Sequence, residues 1–195
     1  MSHAHLQTSA REQSSGGRLS VEAGLWILLG VLALTLRLSH LGAAPLADSE
    51  AREALRAWRV ATGQGWPVGH YNPFLLASNA LLFNLFGTSD VLARLVPAIL
   101  GALLPLSPVL FRRQLGRFGA LTAGLYLAIS PTALVASRQL SGTAIAAGGA
   151  MAAASGIARF FEKRSRGGLT LAGVGLGLAV TSDATAYALL VPLGV

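Results

Sequence analysis

The feature that most constrains this chain is the recurrence of apolar runs near twenty residues long, about what a helix needs to cross a bilayer core of roughly 30 Å. The 195 residues are 53% hydrophobic and only 12% charged, with 23 glycines and a mean hydropathy of +0.58, more apolar surface than a soluble core can use. The sequence therefore predicts an all-α, polytopic membrane helix bundle. The net charge of +7 does not point to nucleic acid, because the basic residues gather in short clusters beside the apolar runs, where orientation in the bilayer accounts for them. Without cysteine there is no disulfide framework, thiolate nucleophile or cysteine-based metal site.

Met1 to Ser20 is polar and lacks apolar periodicity, which predicts a disordered tail on the cytoplasmic side. His3 and His5 lie in it, and a histidine pair on a mobile tail is not by itself a metal site. Val21 to Leu41 is the first span. Gly42-Ala43-Ala44 resembles a signal-peptidase site, but the apolar stretch is long for a signal peptide and more spans follow, which favours an uncleaved helix. Arg37 near its outer end is placed to snorkel to the interface, with a buried functional role as the other reading.

Between the first span and the others lies a polar interlude, Pro45 to His70, holding Asp48, Glu50 and Glu53 of the chain's eight acidic residues, with Arg52, Arg56 and Arg59 among them. Asp48 or Ser49 can cap a helix running to about Thr62. Ala51, Ala54, Leu55, Trp58 and Ala61 recur at helical spacing as an apolar stripe, with the three arginines on the opposite side. That pattern predicts an amphipathic helix lying in the interface.

Asn72 to Phe86 is apolar but, at fifteen residues, covers only about 22 Å, and Asn79 and Asn84 interrupt it. If it crossed, the basic clusters Arg112-Arg113-Gln114-Leu115-Gly116-Arg117 and Lys163-Arg164-Ser165-Arg166 would both lie opposite the N-terminal tail; if it stays in the interface, all three share one side. The second arrangement obeys the positive-inside rule and makes 72–86 a second juxtamembrane helix. The remaining spans are then Val91 to Phe111, Phe118 to about Leu134, about Ser141 to Phe161, Gly168 to Ser182, and a last one from near Ala184, about six in all with the first. Pro97, Pro105, Pro108 and Pro131 are tolerable kinks in such helices, and Gly148, Gly149, Gly156, Gly173, Gly175 and Gly177 suggest close packing. The sequence stops at Val195 inside an apolar run, as a piece of a larger protein would.

On this topology residues 42–90 form the first extracytoplasmic loop, and one outer face collects Asp48, Glu50, Arg52, Glu53, Arg56, Arg59, His70, Tyr71, Arg94, Arg138 and Asp183. A carboxylate among arginines at the membrane surface suits one reaction type: the carboxylate takes a proton from an acceptor hydroxyl while guanidinium groups hold a phosphate leaving group. Asp48 and Glu50 are the candidate acids, and Arg52, Arg56, Arg94 and Arg138 the candidate phosphate binders. Each has a plainer reading. The arginine row can simply face headgroups, Arg94 can pair with Asp90, Asp48 and Glu50 can serve capping and local pairing, and Arg138 and Asp183 can be loop charges.

Pro45-Leu46-Ala47-Asp48-Ser49-Glu50-Ala51, then Asn72-Pro73-Phe74-Leu75, then Leu85-Phe86-Gly87-Thr88-Ser89-Asp90 through Ala93-Arg94-Leu95-Val96-Pro97-Ala98, then Ile129-Ser130-Pro131 through Ser137-Arg138 resemble the GT-C membrane glycosyltransferases. The likeness is to their protein mannosyltransferase and aminoarabinose transferase-like branch, nearest the prokaryotic flippase-activity-associated subgroup, and runs from about Arg37 to Tyr187. It implies an inverting transferase of the prokaryotic plasma membrane with a polyprenyl-phosphate sugar as donor, membrane lipid around it, and a protein, glycan or lipid acceptor on the extracytoplasmic face. It also implies two juxtamembrane helices in the first outer loop, Asp48 and Glu50 as catalytic acids, Arg94 as a site-shaping arginine, and leaves room for a divalent cation. The chain departs from the pattern at Ser49, where the subgroup has Asp, at Ser141-Gly142-Thr143, which offers no Asp, and at Asp183-Ala184, where a Lys-Glu pair is usual. Those departures support the alternative of a non-catalytic protein that binds or handles lipid-linked sugars.

Overall fold

The computed structural model describes residues 21–69, 71–183 and 186; the expected tail 1–20, with His3 and His5, and the expected span from Ala184 lie outside the described residues. Among the described residues the regular elements are helical: α1 (Val21–Leu38), α2 (Asp48–Ala61), α3 (Pro73–Phe86), α4 (Asp90–Leu103) continuing into a 3-10 segment (Leu104–Phe111), α5 (Arg112–Ile129), α6 (Pro131–Arg138), α7 (Thr143–Lys163) and α8 (Arg166–Ser182). Val21–Leu38, Asp90–Ile129 and Thr143–Glu162 are long and apolar enough to cross a membrane. The second of these folds back on itself: α5 packs along the 3-10 segment, and Gly116, at φ 70°, interrupts its helix near the reversal.

Ion pairs define the two ends of the bundle. Glu22 accepts from Arg112 at 2.8 Å and lies 3.6 Å from Arg117, while Glu162 accepts from Arg113 at 3.1 Å and Gln114 at 3.4 Å. The start of α1, the start of α5 and the end of α7 therefore share a basic end. At the opposite end Arg94, in the second turn of α4, donates to the carbonyls of Leu41, Ala44 and Pro45 just beyond α1. The chain thus leaves α1 and enters α4 at the same end, and α2 and α3 lie in the loop between without changing ends. α3 buries Leu75, Leu76, Asn79, Ala80 and Phe83 against its neighbours and leaves Leu81, Leu85 and Phe86 exposed, so one face meets protein and the other is apolar and open.

Two expected spans are less regular than periodicity suggested, and proline is the reason. The helix expected over 91–111 becomes 3-10 from Leu104, where Pro105 and Pro108 cannot donate. The helix expected over 118–134 breaks at Ser130 (φ −56°, ψ 122°), because a residue before proline is pushed out of the α region. Each break frees a carbonyl, and no lipid can satisfy it. Ser107 Oγ donates to the Leu104 carbonyl at 2.6 Å, four residues before Pro108. Arg37 Nη2 donates to the Leu127 carbonyl at 3.1 Å, four residues before Pro131, and Nη1 to Ala33 and Ala128 at 3.3 and 3.5 Å. Arg37 is therefore fully buried and does not snorkel to the interface; the freed carbonyls at the end of α5 hold it inside.

The α7–α8 hairpin packs backbone on backbone. A Cβ on Gly149 would stand 2.6 Å from the Gly175 carbonyl, and one on Gly156 2.6 Å from that of Gly168, so glycine alone fits these crossings. Gly149, Gly156 and Gly175 fill the expected packing role, whereas Gly173 and Gly177 face open space.

If Arg37 stands in for the missing N–H of Pro131, the two positions are coupled. Arg37→Leu is expected to destabilise the bundle by about 2–3 kcal/mol, and Pro131→Ala, by restoring a backbone donor, to recover about 1 kcal/mol of it. Thermal unfolding of the two single variants and the double variant in detergent measures that coupling, and strict additivity would refute the assignment.

Candidate functional site

The candidate site lies at the end of the bundle opposite the basic clusters, where α1 finishes, α4 begins and the α6–α7 turn passes. α2 starts at Asp48 after the extended residue Ala47, which has no side-chain acceptor to cap it. The expected Asp48 or Ser49 cap is absent; Glu50, in the third helical position, accepts the Ala47 N–H at 2.9 Å instead. Ser89 does cap α4, accepting the Leu92 N–H at 3.2 Å.

Glu50 and Arg94 meet as a buried bidentate pair, Nε to Oε1 at 3.1 Å and Nη2 to Oε2 at 2.6 Å. Glu50 Oε1 also accepts the Leu140 N–H at 2.7 Å, so four donors converge on its two oxygens. Arg94 divides its remaining N–H groups among the carbonyls of Leu41 (3.1 Å), Ala44 (2.8 Å) and Pro45 (3.1 Å). A guanidinium has five N–H donors and a carboxylate about four acceptor sites, and all of them are engaged here. Burial by itself would raise the Glu50 pKa, but the Arg94 hydrogen bond, the two backbone N–H groups and the Arg94 charge together hold it below the usual carboxylate range.

The other expected residues separate around this pair. Asp48 is exposed at the first position of α2, where the helix N-terminus favours a negative charge. Arg52 is exposed and its Nε donates to the Asp48 carbonyl at 3.2 Å, Arg56 pairs with Glu53 at 2.6 Å, and Arg59 is exposed. Arg94 was expected to meet a donor phosphate; its N–H groups are taken by Glu50 and backbone carbonyls, so in this arrangement none is left for one. Arg138 donates to the carbonyls of Ser39 (2.7 Å) and His40 (3.3 Å), covering the end of α1. Tyr71 is half-buried in the apolar cluster of α2, α3 and α4. His70 lies outside the described residues. Asp183 accepts from Thr143 at 2.9 Å, and a Cβ on Gly142 would collide with the Ser182 carbonyl, so glycine there lets the two helix ends close. The stretch without an acid, 141–143, is thus set against the acid that follows α8.

Sequence reasoning missed the backbone partners, namely the Leu41, Ala44 and Pro45 carbonyls and the Leu140 N–H, and missed Thr143 as the partner of Asp183. Among the described residues no group of three His, Cys, Asp or Glu side chains could hold a metal ion, so the divalent cation that the resemblance allows finds no protein-made cage there.

Residues 71–195 match the family described as dolichyl-phosphate-mannose-protein mannosyltransferase, well over half of the chain. The chain belongs to this family. Its members are membrane glycosyltransferases that use polyprenyl-phosphate sugar donors. No curated protein and no solved structure matches the chain. Asp48, Glu50 and the arginine row precede the matched region, yet Arg94 inside it holds Glu50, which ties the two parts into one structure.

Removing one partner of a buried pair leaves the other charge unmet, so Glu50→Ala is expected to cost about 3–5 kcal/mol. Because the folded-state pKa of Glu50 is depressed, its contribution is complete above the unfolded value of about 4.3 and is lost as pH falls through the lower folded value. Thermal melts in detergent from pH 7 down to pH 3 should fall on the acid side in the wild type, and that acid-side loss should flatten in Glu50→Gln, which starts from a lower plateau. An unchanged acid limb in Glu50→Gln would show that the pair does not set it.

Proposed function

We propose that the chain is part of a membrane glycosyltransferase that moves a sugar from a polyprenyl phosphate to an acceptor hydroxyl at the end of the bundle carrying α2, with that end extracytoplasmic and the basic end cytoplasmic. Asp48 is the base that takes the acceptor proton, and Arg52 and Arg56 face the donor phosphate as it leaves. Glu50 and Arg94 are positioning residues: their pair fixes the first turn of α2 and with it Asp48. The observation that carries this reading is the saturated Glu50–Arg94 pair, which leaves Asp48 as the exposed carboxylate of that turn.

The basic end supports the sidedness, since Arg112, Arg113 and Arg117 sit together with the start of α1, the arrangement that the positive-inside rule requires of a cytoplasmic face. Cysteines placed at Gln64 and Gln114 should label from opposite sides of sealed vesicles; labelling from one side would reject this topology.

A base that assists proton transfer contributes about 10²–10⁴-fold. Asp48→Asn is therefore expected to lower transfer from a lipid-linked sugar by at least about 100-fold while leaving the melting temperature within a degree or two. Unchanged transfer would remove Asp48 from the mechanism. A second reading, a protein that binds lipid-linked sugars without turning them over, is favoured by the engagement of Glu50 and Arg94 entirely with protein groups; it predicts donor binding with no transfer in the wild type.

A further inference from the structure

Arg112 and Arg117, at the basic end of the bundle, are five residues apart, which on an unbroken helix would turn them about 140° from one another. Gly116, at φ 70°, breaks α5 between them, and both come to Glu22 Oε2, at 2.8 and 3.6 Å. The three side chains are unequally covered: Glu22 is 18% exposed, Arg112 41% and Arg117 74%. The cluster therefore presents its arginines outward and keeps its carboxylate behind them. Around it, Arg113 is held by Glu162 at 3.1 Å, and Arg164 and Arg166 are exposed. Among the described residues Glu22 and Glu162 are the acids of this end, so the surface there is positive.

An apolar groove of about 230 Å³ opens between α1 and α5 just inside this cluster. Leu25, Leu28 and Leu32 of α1 line it on one side and Leu121, Thr122 and Leu125 of α5 on the other. Thr122 donates its hydroxyl proton to the Phe118 and Gly119 carbonyls at 3.0 and 3.1 Å, so that proton is turned back on its own helix. Leu25 and Leu121 follow Glu22 and Arg117 by three and four residues, about 5–6 Å deeper along their helices. Both walls belong to stretches long and apolar enough to cross a membrane, so the groove faces lipid and its mouth lies at headgroup depth. A molecule that fits carries an anion with hydrocarbon directly beneath it. Guanidinium groups bind phosphate oxygens in a fork, and a basic pocket between membrane helices suits an acidic headgroup. A zwitterionic lipid brings its own cation, which this surface repels.

We infer that the α1–α5 groove is a site for an anionic glycerophospholipid of the leaflet at the basic end, with its phosphodiester over Arg117 and Arg112 and one acyl chain between the two helices. The site lies at the opposite end of the bundle from the proposed donor chemistry and does not depend on it. The full chain in nanodiscs of phosphatidylcholine is photolabelled with phosphatidylglycerol bearing a diazirine in one acyl chain, and the labelled peptides are read by mass spectrometry. Label is expected on 25–32 and 121–125, and unlabelled phosphatidylglycerol should compete with it. Arg117→Gln, an exposed change, and Thr122→Trp, which fills the groove from an exposed position, should each lower that label by about fivefold or more. Arg166→Gln, at the same end but outside the groove, should leave it unchanged.

Label confined to other segments would overturn the inference, as would full labelling of both groove variants. An equal loss in Arg166→Gln would reduce the effect to diffuse surface charge and also overturn it. Equal competition by added phosphatidylcholine of the same chains would make the groove indifferent to headgroup, and stronger competition by a polyprenyl phosphate than by phosphatidylglycerol would make it a carrier-lipid site; either result would reject the assignment.

Discussion

A backbone carbonyl that loses its helical partner inside a bilayer has no water to turn to, and leaving it bare costs several kcal/mol. This bundle frees such carbonyls through Pro108 and Pro131, and the non-helical stretch after α1 leaves more carbonyls without helical partners where the chain leaves the bundle. Side chains cover them: Ser107 at Leu104, Arg37 at Leu127 and Ala128, Arg94 at Leu41, Ala44 and Pro45, and Arg138 at Ser39 and His40. Three arginines of an apolar chain are thus engaged in closing helix ends. Each joins segments distant in sequence, so the order of helices around the site depends on them.

This constraint accounts for the site's main ion pair. Arg94 gives three of its five N–H groups to carbonyls, and the remaining two suit a carboxylate that can accept both. Glu50 supplies it and in the same place accepts the N–H groups of Ala47 and Leu140, which fastens the start of α2 to the α6–α7 turn. A structural demand at the end of α1 therefore brings a carboxylate into the region where the family's chemistry is expected. Proximity to the site is for that reason poor evidence of a catalytic role for Glu50, whereas the exposed Asp48 answers to no more than the modest preference of a helix N-terminus for negative charge.

The helical membrane fold, the two loop helices and the grouping of basic segments at one end were legible in the sequence, because each follows from local quantities: run length, helical periodicity and the placement of Arg and Lys. α2 was placed within a residue of its observed end. Three features were not legible. Arg37 reads as an interfacial arginine by its position in the run, and only its contact with Leu127, ninety residues on, shows what draws it inward. The 3-10 segment was visible as prolines but not as a change of helix type, since helices tolerate proline when neighbours compensate. Glu50 and Asp48 looked equivalent because sequence reports charge and spacing, not which carboxylate a distant arginine will take.

That last choice sets the rotation of α2. The apolar stripe read from periodicity was Ala51, Ala54, Leu55, Trp58 and Ala61, yet the most buried line runs through Glu50 and Ala57, with Ala54, Trp58 and Ala61 beside it. Pulling Glu50 inward turns the helix so that Ala51 and Leu55 are exposed and line one wall of an open groove of about 430 Å³ beside the start of α4. Residues two apart on a helix stand about 200° apart, so the same rotation that buries Glu50 must present Asp48 on the opposite side. One buried salt bridge thereby fixes three properties of α2 together: an acid turned outward at its start, an arginine edge, and an apolar strip free of protein beside that edge. A helix rotated by its apolar stripe alone would have buried Ala51 and Leu55 and left no groove.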